Sequence, residues 1–290
     1  DVAVGAGAVW IGNAPSRGSV LPTSVTRLDP DTGLISDPIQ LPPDPGGSRY
    51  GILPGLSRQH IAVSPDAVWV VNADLSVSRI DPRSNRIVAR ITQLKARSIA
   101  AGEGEVWVTA GSGLAEIDPS TNAVARRVPL EGVGVTEIES IAVGGGAVWV
   151  TDPQAGTLWR IDTGPTLTRR AIPLDTWVGH VAFGEGAVWA TNEIADVLYR
   201  VDPTTSAVER RSTLASPRFV DAGDGGVWIT TSKPPSHDAV LTAPMCRDVI
   251  FGRQGRPDLL LVASLPLQGA AAPLTSAMVD GMRYVLEQRG

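Results

Sequence analysis

The chain has 290 residues, of which 43% are hydrophobic and 19% charged, and its formal net charge is −5. That mildly acidic balance provides no basic footprint for nucleic acid, and no apolar run is long enough to cross a bilayer. The 31 glycines and 23 prolines suit a chain that turns every few residues, and a single cysteine, Cys246, excludes an internal disulfide.

In chain order, one phrase returns six times: VAVGAGAVWIGN from Val2, IAVSPDAVWVVN from Ile61, IAAGEGEVWVTA from Ile99, IAVGGGAVWVTD from Ile141, VAFGEGAVWATN from Val181 and VDAGDGGVWITT from Val220. Its tryptophans, Trp10, Trp69, Trp107, Trp149, Trp189 and Trp228, are separated by 59, 38, 42, 40 and 39 residues. A period near 40 with four short strand patterns per unit predicts a β-propeller, an all-β fold of four-stranded antiparallel blades. Six copies predict six blades, or seven if a further unit precedes Asp1.

Within each unit the first apolar run predicts an innermost strand A, and the Gly-x-Gly or Ser64-Pro65-Asp66 step a tight turn. Ala-Val-Trp-Val predicts strand B, with Trp directed at one neighbouring blade and Val at the other. Strand C closes on phrases such as Arg79-Ile80-Asp81 and Arg200-Val201-Asp202. The following Asp-Pro turns, from Asp29, Asp81, Asp118 and Asp202, assign those carboxylates to accepting backbone N–H groups rather than to metal or catalysis. Arginine pairs at Arg126-Arg127, Arg169-Arg170 and Arg210-Arg211 fall in the outermost strand, where charge blocks edge-to-edge pairing.

Residues 1–242 resemble the YVTN/YncE-type and virginiamycin-B-lyase-like β-propellers of bacteria. The resemblance is carried by the strand, the Gly-rich turn, the Val-Trp-Val-Thr step and the Asp-Pro-x-Thr turn. It implies the fold and says almost nothing about activity.

Loop lengths point to one face. From Trp to the turn Asp the units span 19, 12, 11, 13 and 13 residues, and from that Asp to the next Trp 40, 26, 31, 27 and 26. The first B–C loop, from Asn13 to Ser24, and the first D–A connection, through Pro42 to Gln59, are therefore both enlarged. In an up-and-down blade the two emerge on the same face, and loops on a rigid scaffold collect binding functions. The residue before strand A lies on that face near the axis, which gives Asp1, His60, Ser98, Ser140, His180 and Phe219. His60 and His180 are three units apart, roughly opposite each other in a six-unit ring. Glu137, Glu139, Asp175 and Trp177 join them from the D–A connections, and Asn13, Asn72, Asp152, Asn192, Glu193 and His237 from the B–C loops. The expected ligand-binding set is His60, His180, Ser98, Ser140, Phe219, Trp177, Asn72, Asn192 and Asp152. No His-x-His or comparable spacing supplies a metal site, so no metal or cofactor is expected.

After Leu241 the repeat ends. Residues 243–256 read as a linker carrying Cys246. Pro257 to Ser264 reads as a buried strand of the parallel-sheet kind, and Leu274 to Gln288 as a helix with Leu274, Met278, Met282 and Val285 on one face. This strand, its Pro266-Leu267-Gln268-Gly269 loop and the helix resemble the first β-α unit of type 1 periplasmic, leucine-binding-like proteins. Gln268 replaces the family's usual Thr or Ser. Because a lone β-α unit cannot cover both faces of its strand, the resemblance implies a polypeptide that continues past Gly290. Cys246 is then either a partner for a cysteine there or a free buried thiol.

The resulting expectation is a non-catalytic recognition module of an extracytoplasmic solute-binding or sensor protein of the ABC-transporter type. Its ligand would be a small solute or a protein, with a transporter permease as a further partner. The alternatives are a propeller lyase or hydrolase using His60 or His180 as base, and an interaction scaffold.

Overall fold

The alternation in each repeated phrase is realised as strands that pair antiparallel in chain order. In the computed structural model the described residues are 1–13, 23–43, 60–111, 113–130, 138–164, 167–211, 216–223, 225–231 and 260–261. They form five four-stranded sheets and one three-stranded sheet. Blade 1 holds β1 (Val2–Gly5), β2 (Ala8–Asn13), β3 (Ser24–Leu28) and β4 (Ile39–Gln40). Blade 2 holds β5 (Ile61–Ser64), β6 (Ala67–Val71), β7 (Val77–Asp81) and β8 (Arg86–Ile91). Blade 3 holds β9 (Ala96–Gly102), β10 (Glu105–Ala110), β11 (Gly113–Asp118) and β12 (Ala123–Pro129). Blade 4 holds β13 (Ile141–Gly144), β14 (Ala147–Asp152), β15 (Thr157–Asp162) and β16 (Arg169–Pro173). Blade 5 holds β17 (Val181–Gly184), β18 (Ala187–Asn192), β19 (Val197–Val201) and β20 (Val208–Arg211). Blade 6 holds β21 (Pro217–Gly223), β22 (Gly226–Thr231) and, in parallel pairing, β23 (Leu260–Leu261). Among the described residues there is no helix, and so none long and apolar enough to cross a membrane.

The first hairpins of blades 1, 3, 4 and 5 turn on two successive left-handed residues, as at Glu103 (φ 53°) and Gly104 (φ 83°). That is the two-residue type I′ geometry that matches strand twist. The Asp-Pro turns behave as the sequence predicts. The Asp202 carboxylate accepts from Thr204 N at 2.9 Å and Thr205 N at 2.7 Å, and Ser206 exits left-handed at φ 61°. At the equivalent turn, hydrogen bonds from Ser120 and Thr121 hold the Asp118 carboxyl down at about 2.

Packing runs from each blade to the next. Trp10 is buried with Ile61, Val68, Val70 and Ile80 of blade 2, and Trp69 with Ile99, Val106, Val108 and Ile117 of blade 3. Trp107, Trp149 and Trp189 repeat the arrangement against blades 4, 5 and 6. The aliphatic residues flanking Trp69, Trp107, Trp149, Trp189 and Trp228 face the preceding blade, as strand alternation requires. The buried indole N–H stays bonded, for example from Trp149 Nε1 to Gly144 O at 2.9 Å.

An arginine covers the outer side of four of the indoles: Arg79 on Trp69, Arg126 on Trp107, Arg160 on Trp149 and Arg200 on Trp189, at 4.9–5.9 Å from the ring centres. Three of them reach on into the following blade's turn, with Arg126 donating to Thr163 O at 2.7 Å. Outer-strand arginines also bind backward to the preceding blade. Arg127 donates to Gln93 O at 3.2 Å, and Arg169 to Pro129 O at 2.9 Å. These charges therefore tie blades together in addition to sitting at open edges.

Of the C-terminal expectations, the structure describes only β23, whose Leu260 and Leu261 pair in parallel with Trp228 and Ile229. The linker with Cys246, the loop at residues 265–269 and the helix at residues 274–288 lie outside the described residues, as do Glu137, His237 and most of both enlarged blade 1 loops.

Candidate functional site

The upper face carries the starts of the innermost strands, the loops between second and third strands, and the blade-to-blade connections. Near the axis, four of the six side chains at the entries of the innermost strands, those of Asp1, Ser98, Ser140 and His180, bond backbone of the next blade. The Asp1 carboxylate accepts from the amides of His60 and Ile61. Ser98 Oγ donates to Glu139 O at 3.2 Å, and Ser140 Oγ accepts from Val181 N at 3.1 Å. His180 Nδ1 lies 3.0 Å from Val220 O and 3.4 Å from Val220 N.

The closer carbonyl contact assigns the ring proton to Nδ1 and the lone pair to Nε2. Burial pushes the imidazole pKa of His180 down to about 4, outweighing the Val220 carbonyl bond and the nearby Asp221. His180 is therefore neutral at pH 7, and any exchange with a ligand falls to Nε2. His60 is also buried, with Nδ1 3.9 Å from the Asp1 carboxylate.

A second set of staples comes from residues the sequence reading passed over. Thr109, Thr151, Thr191 and Thr230 each stand two residues after a repeat Trp. Thr109 Oγ1 accepts from Ser98 N at 2.9 Å. Thr151 Oγ1 accepts from Ser140 N at 3.2 Å and donates across the seam to Gly179 O at 2.7 Å. Thr191 Oγ1 donates to Arg218 O at 2.8 Å, and Thr230 Oγ1 accepts from Phe219 N at 3.2 Å. The recurrence of Thr two residues after the repeat Trp was the available signal.

The polar residues leaving the second strands shape the loops. Asn72 Nδ2 donates to Ser76 Oγ at 2.8 Å and Ser78 Oγ at 2.9 Å. The Asp152 carboxylate accepts from Ala155 N at 3.1 Å. Asn192 Oδ1 accepts from Ile194 N and Ala195 N, while its Nδ2 donates to Thr176 O at 2.8 Å.

Five of the nine candidates converge over blades 4 to 6. The Trp177 amide donates to Pro153 O, one residue past Asp152, at 2.7 Å. Asn192 holds the carbonyl immediately before Trp177. The His180 ring meets the Phe219 ring edge-on at 5.4 Å. His60 and Asn72 belong to blade 2, and Ser98 and Ser140 lie at the seams between blades 3, 4 and 5.

Above this buried polar floor stand exposed apolar side chains: Trp177 at 58%, Ile194 at 71% and Phe219 at 39%. Charged groups border them. Arg218 Nε lies 3.3 Å from Glu193, and its guanidinium covers Phe219 at 5.8 Å. The Asp175 carboxylate accepts from Tyr199 Oη at 2.6 Å and lies 3.1 Å from Arg210. Trp177 itself holds a left-handed backbone, φ 71°, which is strained for a bulky residue. Among the described residues no group of three or more His, Cys, Asp and Glu is arranged to hold a metal ion.

No protein-family model and no curated protein matches the chain. Among solved structures it is similar to virginiamycin B lyase from Staphylococcus aureus, with a TM-score of 0.58 and 20% identity over 77% of this chain and 73% of the lyase. The catalytically inactive lyase with quinupristin gives 0.57 and 22%, over the same shares. BamB from Moraxella catarrhalis gives 0.55 and 10%, over 79% of this chain and 68% of that one. At such identities the likeness speaks for architecture alone. Sheets that follow one another in chain order, seams built on one Trp per blade, and these neighbours together make the chain a β-propeller protein.

Proposed function

We propose that the chain is the recognition module of an extracytoplasmic solute-binding or sensor protein of the ABC-transporter type. It takes a small solute, or a segment of a partner protein, on the upper face of blades 4 to 6. The observation that carries this reading is Trp177, a half-exposed aromatic fixed in a strained backbone by bonds to Pro153 and through Asn192. Strain is retained where surrounding structure over-determines it, and it clusters at ligand clamps. An apolar plate over a few oriented polar groups is also the composition of a ligand pocket. Trp177 and Phe219 supply the plates, Arg218 and Glu193 an ion pair at the rim, and His180 a neutral imidazole beneath.

The reading is non-catalytic because the buried polar groups here are engaged in holding blades and loops. A ligand panel weighted to amino-acid-like solutes, followed by thermal denaturation, tests it. A supporting result is a ligand that raises Tm of the parent by several degrees, leaves Tm of Trp177→Ala unmoved, and is recovered unchanged. Turnover of that ligand, lost in His180→Ala with the fold intact, would sink the recognition reading and establish the lyase or hydrolase alternative. No shift with any solute, but capture of a partner protein that Trp177→Ala abolishes, would make the chain an interaction scaffold.

A further inference from the structure

The third-strand residue that pairs with the repeat Trp has its own partner on the fourth strand, and blade 4 fills both places with cations. In blade 3 Glu116 stands opposite Arg126, whose Nε donates to it. In blade 5 Arg200 stands opposite Glu209, and in blade 2 Arg79 opposite Ala89. In blade 4 the pair is Arg160 and Arg170. Like charges directly opposite each other weaken a strand pair, whereas the glutamates of blades 3 and 5 support it.

A second departure from the repeat lies beside the first. The Glu103 carboxylate, on the first hairpin of blade 3, crosses to blade 4 and accepts from Gly145 N and Gly146 N, each at 3.0 Å. Glu185 does the same from blade 5, accepting from Gly225 N at 2.8 Å. Blade 4 has Gly145 in the place of those glutamates, so no carboxylate crosses from its hairpin to blade 5. A groove of about 400 Å³ opens there, lined by Gly145, both arginines, Asp162, Thr168 and Thr204. It lies on the face of the first hairpins and Asp-Pro turns, opposite the face that carries Trp177.

Arg160 is held in place from three sides. Its guanidinium lies 5.3 Å from the Trp149 ring centre, its Nε donates to Asp162 Oδ1 at 2.7 Å, and its Nη1 donates to Pro203 O. Nη2 is left to the groove. The Thr168 hydroxyl also donates to Asp162, and these bonds, Thr168 ahead of Arg160, hold that carboxyl below its usual range against partial burial. Asp162 is thus ionised and engaged by Arg160 and Thr168. Arg170 forms no hydrogen bond or ion pair with a described residue. Two guanidiniums and one carboxylate leave the groove one positive charge in excess. A singly charged, planar carboxylate matches both that excess and the flat donor forks of arginine, whereas a dianionic phosphate would crowd Asp162. The volume falls at the lower end of the range for small-molecule pockets, about 300–1,000 Å³. We propose that this groove between blades 4 and 5 binds a small monocarboxylate, its charged end lying between Arg160 and Arg170, where blades 3 and 5 supply a glutamate of their own.

The test follows the arginine Nε–H NMR resonances of the 290-residue chain, isotope-labelled at arginine. The chain is titrated with sodium acetate, lactate and benzoate, and separately with phosphate and chloride, at constant ionic strength. The expected result is a saturable shift of the Arg160 and Arg170 resonances with at least one monocarboxylate and no saturation with chloride. Arg170→Glu rebuilds the cation–carboxylate pair of blade 5, so it should keep or raise Tm while weakening the ligand, read at Arg160, by about tenfold or more. Arg83→Glu makes the same change of charge at an exposed turn and should leave the affinity unchanged. Should Arg170→Glu fail to fold, Arg170→Gln removes the charge without reversing it and is read for the same loss. Saturation with phosphate but with no monocarboxylate would overturn the ligand class. Drift without saturation in every salt would show two solvated arginines and no site. Saturation that survives the loss of Arg170 would place the binding elsewhere. Each of these three results overturns the proposal.

Discussion

The guanidinium of Arg79 stacks 5.2 Å from the centre of the Trp69 ring and donates onward to Pro119 O at 2.7 Å and Asn122 Oδ1 at 2.9 Å. One side chain therefore covers the indole of blade 2 and fastens the turn of blade 3. Arg79→Ala removes a stacked cation and two charge-assisted bonds, and should cost about 2 kcal/mol in urea denaturation. Arg79→Lys should restore less than half of that, because an ammonium cannot stack and fork at once. Full restoration by lysine would reduce the role to charge alone.

Thr151 stitches the seam between blades 4 and 5 from a fully buried position. Thr151→Val keeps the shape and deletes the hydroxyl, leaving Gly179 O and Ser140 N without it. A loss of about 1–3 kcal/mol is expected. Thr205→Val, at an exposed turn, should cost well under half as much in the same titration.

At Gly144, φ 155°, an added methyl would run into the Phe183 ring. Gly144→Ala should destabilise by about 1–3 kcal/mol, as overpacking does. Adding Phe183→Leu should recover part of the loss, and purely additive costs in the double mutant would place the strain elsewhere.

His180 has a definite pH signature. Its folded pKa, about 4, lies below the unfolded value near 6.5, so the unfolded chain binds the proton first. Its contribution is fully present above pH 6.5 and is lost as the pH falls toward 4, for a total of about 3 kcal/mol. In His180→Gln that portion of the stability-against-pH slope should vanish, leaving the carboxylate-driven loss at lower pH. An unchanged slope between pH 6.5 and 4 would refute the buried neutral imidazole.

Trp177→Gly separates stability from recognition. Glycine accepts φ 71° without strain, so the variant should fall within about 1 kcal/mol of the parent, on the stabilising side. Any ligand that depends on the indole should be lost. A clear drop in Tm would mean that the ring packs for stability rather than for binding.

The blade pattern was legible in the sequence because one strong periodicity carries it. Val-Trp-Val alternation and the Asp-Pro turns state which face is which, residue by residue. The nine candidate residues were legible only as positions. From the sequence, His60, His180, Ser98 and Ser140 look like a polar ring facing the axis. The folded chain engages Ser98, Ser140 and His180 with the next blade's backbone, a partner some 40 residues away that local pattern cannot reveal. The threonines two residues after the repeat Trp were equally visible as letters, and their role appears only once Thr151 and Gly179 are seen side by side. Trp177 is exposed on a left-handed backbone, a conformation that no propensity assigns to tryptophan.

The Trp-to-aliphatic seam has a consequence for how such a chain can arise. A unit whose front fits the back of an identical unit already contains, in one copy, every surface that an array requires. Tandem duplication of one gene segment would then lengthen the array without any new contact having to evolve. Divergence could begin at once on the loops, where Trp177 and Ile194 differ from their counterparts, while the Trp10-type positions stay the same in every copy.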